Sequence, residues 1–546
     1  MQNVTSRRIV IVGGGFGGVF AAKYLRKRAG SDVQIELISQ DNFFVFQPLL
    51  SEVAGGSIQP ADAVSPLRAF LPGVAVRVAE VRRIDVAAKS VHATVGRGEE
   101  ITAVPYDQLV IAVGQIVDLS RTPGLADRAL VMKDVMDAFR IRNHVMQCLE
   151  DADSVTDAVR RKRLLTFVVV GGGFTGVEVI GEIQDLIHAS LKYYPKLRPD
   201  EIRIVLIQHG ARILPELPER LADYAADTLR RRGIDILLKT GVKSASLSGV
   251  EIEGGTVIDA DTIIGAIGNA PSPLMRSLPV PLEHGKIVVD RCLRVQGLND
   301  VWALGDNAHI PLGDPSQPDI AYAPPLAQFA VREAKVLAQN ILAHLRGDTP
   351  KPFAYRSLGT MASLGGRTGV ADILGLRIKG FFAWAAWRSF YLSLLPSMST
   401  RIRVAMDWTL DLIIRRSIAE VRTTSSLSRD IRFRAGDLVL EPGVDPGGLY
   451  VVTSGTFYSE TLAAPDEGGA AEDRTLGPGD TFGLAIDGDG DVARARVSAR
   501  DDPTVYFVER RDLKRLAKVS TLIAPGTSGG APDRSEAGSE PAKDPP

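Results

Sequence analysis

Two short glycine-rich turns, each set between a β-branched run and a helix pattern, constrain this chain more than any other feature. The first runs from Gly13 to Gly18 after the apolar residues Ile9, Val10, Ile11 and Val12. The second runs from Gly171 to Gly176 after Phe167, Val168, Val169 and Val170. In each, the first glycine (Gly13, Gly171) allows a tight turn and the second (Gly15, Gly173) lets the backbone approach a pyrophosphate. The third (Gly18, Gly176) lets helix and strand pack closely, and the helix start favours phosphate charge. A single turn of this kind also closes ordinary βα units that hold no ligand. Two copies, each between a strand and a helix, predict two nucleotide domains, one for a flavin dinucleotide and one for a nicotinamide dinucleotide.

Other strand-like runs end in a glycine that permits close backbone approach to a ligand, at Gly114, at Gly268 and at Gly305 followed by Asp306. A length of 546 residues predicts three or four domains. Charged residues make up 24% of the chain and hydrophobic ones 45%, which excludes a disordered or collagen-like chain. Lys+Arg (64) and Asp+Glu (65) nearly cancel, which argues against a nucleic-acid partner. The two cysteines, Cys148 and Cys292, are too far apart in sequence to suggest a redox-active pair and read as small hydrophobes. The seven histidines show no HxxxH spacing, so no metal site is expected. No secretory signal and no membrane-spanning run are expected, and the Pro/Gly/Ser-rich end from about Pro525 reads as a disordered tail.

The near-neutral total hides two opposed blocks. Residues 376–434 carry eleven Lys/Arg against four Asp/Glu, whereas residues 435–491 carry twelve Asp/Glu and one Arg. The basic block holds three of the four tryptophans, Trp384, Trp387 and Trp408. Trp384, Trp387, Tyr391 and Leu394 share one helical face, which predicts an amphipathic helix lying in a bilayer interface, with anionic lipid attracted to residues 376–416. A core face or a homodimer face is the other reading of such a stripe. Beyond residue 430, short alternating strands with regular glycine turns predict a small β-roll or jelly-roll unit.

On these motifs the chain resembles the two-dinucleotide-binding-domain flavoproteins, and most closely the type II NADH:quinone oxidoreductases, over residues 8–418. Residues 42–50, with Gln47 and Pro48, look like the family's flavin-side segment. Glu178 closes its nicotinamide motif, Asp306 falls where the flavin ribityl chain is held, and Ala327 with Gln328 look like its flavin-ring and quinone motif. The resemblance implies an α/β fold of two Rossmann-like domains, a C-terminal amphipathic helical membrane-anchor region and a cyclic-nucleotide-binding-like β-roll. The implied division is an FAD-binding domain in two parts (1–120 and 273–348), a helical connection (121–163) and an NAD(P)H-binding domain (164–272). A membrane-anchoring region (349–421), a linker (422–430), the β-roll domain (431–520) and the tail (521–546) follow. The implied activity is non-proton-pumping transfer of a hydride from NADH to FAD, then of two electrons to a membrane quinone, by a peripheral (monotopic) enzyme on the cytoplasmic side. A soluble diaphorase or ferredoxin-type reductase, and a flavin-bound redox or second-messenger sensor, are the alternatives on the same fold.

The implied catalytic residues are Glu178, Gln328 and Gln47. For Glu178 a first-turn helix-dipole role is the other reading, and for the two glutamines satisfaction by neighbouring backbone. The implied cofactor-binding set is Gly13, Gly15, Gly18, Ser39, Gln47, Pro48, Val81, Gly114, Asp306, Ala327 and Gln328 for FAD. For the nicotinamide nucleotide it is Gly171, Gly173, Gly176, Glu178, Gln208 and Gly268. Ser39 and Gln208 stand where an acidic residue usually holds an adenosine ribose. Gln208 does not repel a 2′-phosphate, and Arg203, His209 and Arg212 are close in sequence, so NADPH stays open beside NADH. Arg332 stands where a second glutamine is common. In the last domain Leu484 replaces the ribose-binding Glu, and Arg496 follows the candidate phosphate ligand Arg494, which favours a degenerate domain that docks a small-molecule or protein regulator.

Overall fold

The structure, a computed structural model, describes residues 7–95, 101–246, 248–314, 320–413, 416–419, 429–433, 435–442, 446–461, 473–483, 495–509 and 513. It divides into two units, 1–421 and 422–546.

In the first unit, Arg7–Val12 sits inside a seven-stranded sheet, next to Val33–Ser39 on one side and Gln108–Ile111 on the other. Val301–Ala303 and Ala75–Asp85 extend the parallel part, and Ser90–Val95 and Ile101–Pro105 add an antiparallel edge. Ile9 to Val12 are buried on both faces, which is why the run is uniformly apolar and does not alternate. Helix α1 (Phe16–Arg28) follows the first glycine turn and ends on Arg26, Lys27 and Arg28, which complement the helix dipole. Helix α2 (Leu50–Ala54) is a short buried segment after the Gln47–Leu49 turn.

The second sheet is fully parallel, in the order Leu130–Val131, Thr262–Gly265, Thr166–Val170, Arg203–Gln208 and Ile234–Leu238. Its first strand comes from the stretch 121–163 that the sequence reads as a helical connection. Helix α3 (Val135–Ser154), opened by a reciprocal Asp134–Asp137 capping box, supplies most of the rest of that stretch, with the short helical segments Leu125–Arg128 and Ala158–Leu164. Helix α4 (Phe174–Ser190) follows the second glycine turn. Helix α5 (Ala327–Arg346) packs along α1 and stops at Gly347, whose φ of +81° suits a helix C-cap.

Residues 349–421 are not purely helical. They begin with an antiparallel sheet of Gly359–Ser363, Gly369–Ile373 and Leu376–Gly380, then form α6 (Phe381–Leu394) and α7 (Met398–Ile413). No helix among the described residues is long and apolar enough to cross a membrane.

Among the described residues, the second unit contains two four-stranded antiparallel sheets. Aromatic rings fill its core: Tyr450 stacks on Phe482 at 4.9 Å and Phe457 tilts against Phe482 at 5.0 Å. Leu484, Arg494 and the C-terminal tail lie outside the described residues.

Candidate active site

The two glycine turns share one geometry, position by position. Gly13 and Gly171 have φ of +117° and +113°, which L side chains rarely adopt. A Cβ on Gly18 would collide with the Gly13 carbonyl, and one on Gly176 with the Gly171 carbonyl. Gly15 and Gly173 differ from these: a Cβ there would meet nothing within 4 Å. The middle glycine of each turn therefore borders open space in front of a helix N-terminus, which is the cradle a dinucleotide pyrophosphate fits. Ser39 is buried and lies against Gly14, while Gln208 Oε1 accepts from Gly172 N at 2.9 Å. Two chemically different residues thus occupy the same place at the ends of the two second strands.

Buried polar contacts fix the remaining strand ends. Asn307 Oδ1 accepts from Gly114 N at 3.0 Å, and Asn307 Nδ2 donates to the Ile111 carbonyl at 3.1 Å. Glu333 Oε2 accepts from Gly305 N at 2.8 Å, and burial pushes its carboxyl up to about 7. Asp306, mostly buried beside it, is also raised by burial. Gly268 has φ of +88° and packs on the Asp118 carbonyl, and Val81 is a half-buried residue at a register shift in its strand. Asn307 and Glu333 carry no motif signal, and sequence reasoning missed both.

One cavity of about 250 Å³ gathers most of the remaining candidates. Phe16 and Phe174, the first residues of α1 and α4, both line it, so the two helix starts open onto the same space. Gln47, Pro48, Glu178, Ala327 and Gln328 line it as well, joined by Gly359, Thr360 and Met361 from the following sheet and Tyr391 from α6. Glu178 Oε1 accepts twice, from Trp387 Nε1 at 3.0 Å and from Ser363 N at 3.2 Å. Burial nevertheless pushes its carboxyl up to about 8, helped by the nearby acids Glu52 and Glu182, which favours the protonated form near neutral pH. The Tyr391 phenol is likewise pushed up by burial. Gln328 lines the cavity with its amide already engaged by protein partners, Tyr355, Ser357 and Gly359. Gln47 is exposed at the cavity edge.

Beneath the cavity lies a charged cluster with no sequence signal. Glu52 on α2, only 1% exposed, accepts from Arg388 Nη2 at 2.9 Å and Nε at 3.2 Å on Oε1, and from Trp408 Nε1 at 2.7 Å on Oε2. Arg388 is held between the Trp384 and Trp408 rings, at 4.3 and 4.7 Å from their centroids. Glu182, one turn beyond Glu178, pairs with Arg416 at 3.2 Å, and burial raises it to about 8. Arg416 also pairs with Asp411, and Arg403 pairs with Asp62.

These contacts correct the reading of the basic, tryptophan-rich block. Trp384, Trp387 and Trp408 are all buried, so the stripe predicted to meet lipid faces the protein core. Arg388, Arg403 and Arg416 are in internal ion pairs, and Arg401 donates to the Leu395 and Ser393 carbonyls. The outward residues include a set of large apolar side chains: Phe381 and Phe382 at the start of α6, then Met398, Ile402, Met406 and Leu410, spaced by four along α7. The indole N–H groups explain the inversion: two of these tryptophans find buried carboxylate acceptors, which a lipid-facing indole would lack.

Two parallel-sheet domains with matching phosphate cradles, opening on one cavity lined by a buried glutamic acid, define a two-nucleotide oxidoreductase. Sequence comparisons agree. Residues 7–334 match the family described as pyridine nucleotide-disulphide oxidoreductase, residues 357–417 the NDH2 C-terminal domain and residues 430–520 the cyclic nucleotide-binding domain. A type II NADH:quinone oxidoreductase of Mycobacterium tuberculosis is 33% identical over 75% of this chain and 89% of its own length. The external alternative NADH-ubiquinone oxidoreductase of Yarrowia lipolytica is 30% identical over 76% of this chain and 81% of its own. The structure of NDH2 from Plasmodium falciparum in complex with NADH superimposes with a TM-score of 0.70 at 22% identity, covering 76% of this chain and all of that one, and supports the fold. The chain belongs to the pyridine nucleotide-disulphide oxidoreductase family and, within it, to the type II NADH:quinone oxidoreductases.

Proposed function

We propose that this chain holds FAD in the first cradle and NADH in the second, and passes two electrons from NADH to a quinone at the shared cavity. The observation that carries this reading is the meeting of both helix starts, Glu178 and Gln328 on one cavity. FAD, when bound, supplies the hydride acceptance and electron transfer that side chains cannot perform. The protein's part is to orient both nucleotides, exclude water and supply a proton. Trp387 and Ser363 occupy Glu178 Oε1, so the transferable proton sits on Oε2. In this reading Gly114, Asp306, Ala327, Ser39, Val81 and Pro48 border the flavin nucleotide, and Gly268 and Gln208 the nicotinamide nucleotide.

Gln208 offers no negative charge to a 2′-phosphate, and NADPH serves as a second donor on this account. The row Phe381, Phe382, Met398, Ile402, Met406 and Leu410 rests on the bilayer. Exposed Arg377 and Lys379 beside it favour a lipid surface over a second copy of the chain. The enzyme is then peripheral, on the cytoplasmic side, and the C-terminal unit docks a regulator.

Stopped-flow mixing tests the reading: the flavin is bleached by NADH and recoloured by a short-chain quinone, faster with liposomes present. Slow reoxidation by every quinone, with fast reoxidation by a soluble acceptor, favours a diaphorase instead.

A further inference from the structure

One wall of the cavity ends in a hydrogen-bonded cluster centred on Gln328. Gln328 Nε2 donates to the Gly359 carbonyl at 3.0 Å and to Ser357 Oγ at 3.2 Å. A carbonyl oxygen can only accept, so the amide nitrogen must face Gly359 and Oε1 must face away from it. On that side Oε1 accepts from the Tyr355 hydroxyl at 3.1 Å. Arg332 braces the pair: its guanidinium lies over the Tyr355 ring at 4.4 Å, and its Nη1 donates to the Gln328 backbone carbonyl at 2.9 Å. Phe329 meets the same ring edge-on at 4.9 Å.

Both amide hydrogens of Gln328 are therefore committed to the segment leading into Gly359, Thr360 and Met361, which line the cavity. Gly359 itself has φ of +134°, and a Cβ there would collide with the Asp372 carbonyl. The wall is held from both sides, by Gln328 and by the neighbouring strand. Arg332 thereby has a role in holding the tyrosine that orients Gln328.

We propose that Tyr355 is a positioning residue for the quinone: through Gln328 it sets the wall at residues 359–361, and so the fit of the quinone head. This rests on the quinone reading of the cavity. Tyr355 would act without touching the acceptor, and Gln328 would present its carbonyl oxygen and the wall it anchors, not its amide N–H.

The test uses the full-length flavoprotein with a short-chain quinone. Tyr355→Phe keeps the ring on Arg332 and Phe329 and deletes only the hydroxyl. The quinone KM is expected to rise about fivefold, with kcat within about twofold and flavin reduction by NADH at the unmodified rate. Gln328→Leu should raise the same KM, and the double variant should add nothing to Gln328→Leu alone, because both act on one contact chain. An unchanged quinone KM in Tyr355→Phe, or additive effects in the double variant, overturns the proposal. An unmodified enzyme whose reduced flavin no quinone reoxidises overturns the functional reading itself, and this inference with it.

Discussion

Trp387 donates its indole N–H to Glu178 Oε1 at 3.0 Å, from one turn upstream of the cavity residue Tyr391 on the same helix. The bond stabilises the carboxylate form of Glu178 and opposes the burial that raises it to about 8. Trp387→Phe deletes this donor and keeps most of the packing. The alkaline limb of quinone reduction should move upward by about one pH unit, a shift that a kcat profile from pH 6 to 10 would read.

Glu178→Gln goes further. A carboxyl raised in the folded state binds more protons folded than unfolded, so its contribution to stability falls as pH rises from the unfolded value near 4.5 through about 8. The glutamine variant should lose the alkaline limb of the quinone half-reaction and melt higher than the unmodified protein at pH 9. An unshifted limb would separate Glu178 from the proton supply.

The middle glycines separate the two cradles experimentally. A Cβ on Gly15 or Gly173 meets no protein atom, so both alanine variants should fold with ordinary stability. Gly15→Ala should purify with depleted flavin. Gly173→Ala should keep its flavin and raise the NADH KM about tenfold, through weaker phosphate approach alone. Flavin absorbance per chain and steady-state KM distinguish them.

Breaking the buried pair of Glu52 and Arg388 should cost stability first. Arg388→Met leaves Glu52 with Trp408 alone and an uncompensated buried charge, a loss of about 3–5 kcal/mol. Adding Glu52→Gln should restore part of the thermal midpoint. Equal midpoints for the single and double variants would show that Glu52 is already neutral in the folded protein.

Vesicle binding should follow the apolar row and not the tryptophans. Phe382→Asp with Ile402→Asp should abolish sedimentation with liposomes, while moderate salt should only weaken it, since most of the arginines here are paired internally. Release by salt alone, with the apolar row intact, would restore the electrostatic account.

The glycine turns were legible because their first and third glycines meet backbone requirements that a side chain would violate, and their middle glycines leave room for a ligand, in both copies. Glu178 was legible by its place in a motif. Glu52, Glu182, Glu333 and Asn307 were not: none falls in a motif, and the partner of each comes from another element of the chain. The tryptophan stripe misled for a related reason. Spacing of three and four shows that residues share a helix face, but what that face meets depends on acceptors contributed by other elements. The strand Leu130–Val131 was hidden in a stretch otherwise full of helix formers, and two residues are too few for a periodicity.

Consecutive residues Trp387 and Arg388 cap two different buried glutamates from one helix. An engineer seeking a detergent-free form would be tempted to cut the chain before α6. Such a cut would uncap both acids, and with them the floor of the cavity, so a trimmed enzyme should be inert as well as unstable. Resurfacing is the route the architecture permits: polar side chains at Phe381, Phe382, Ile402 and Met406, with the inward half of each helix untouched.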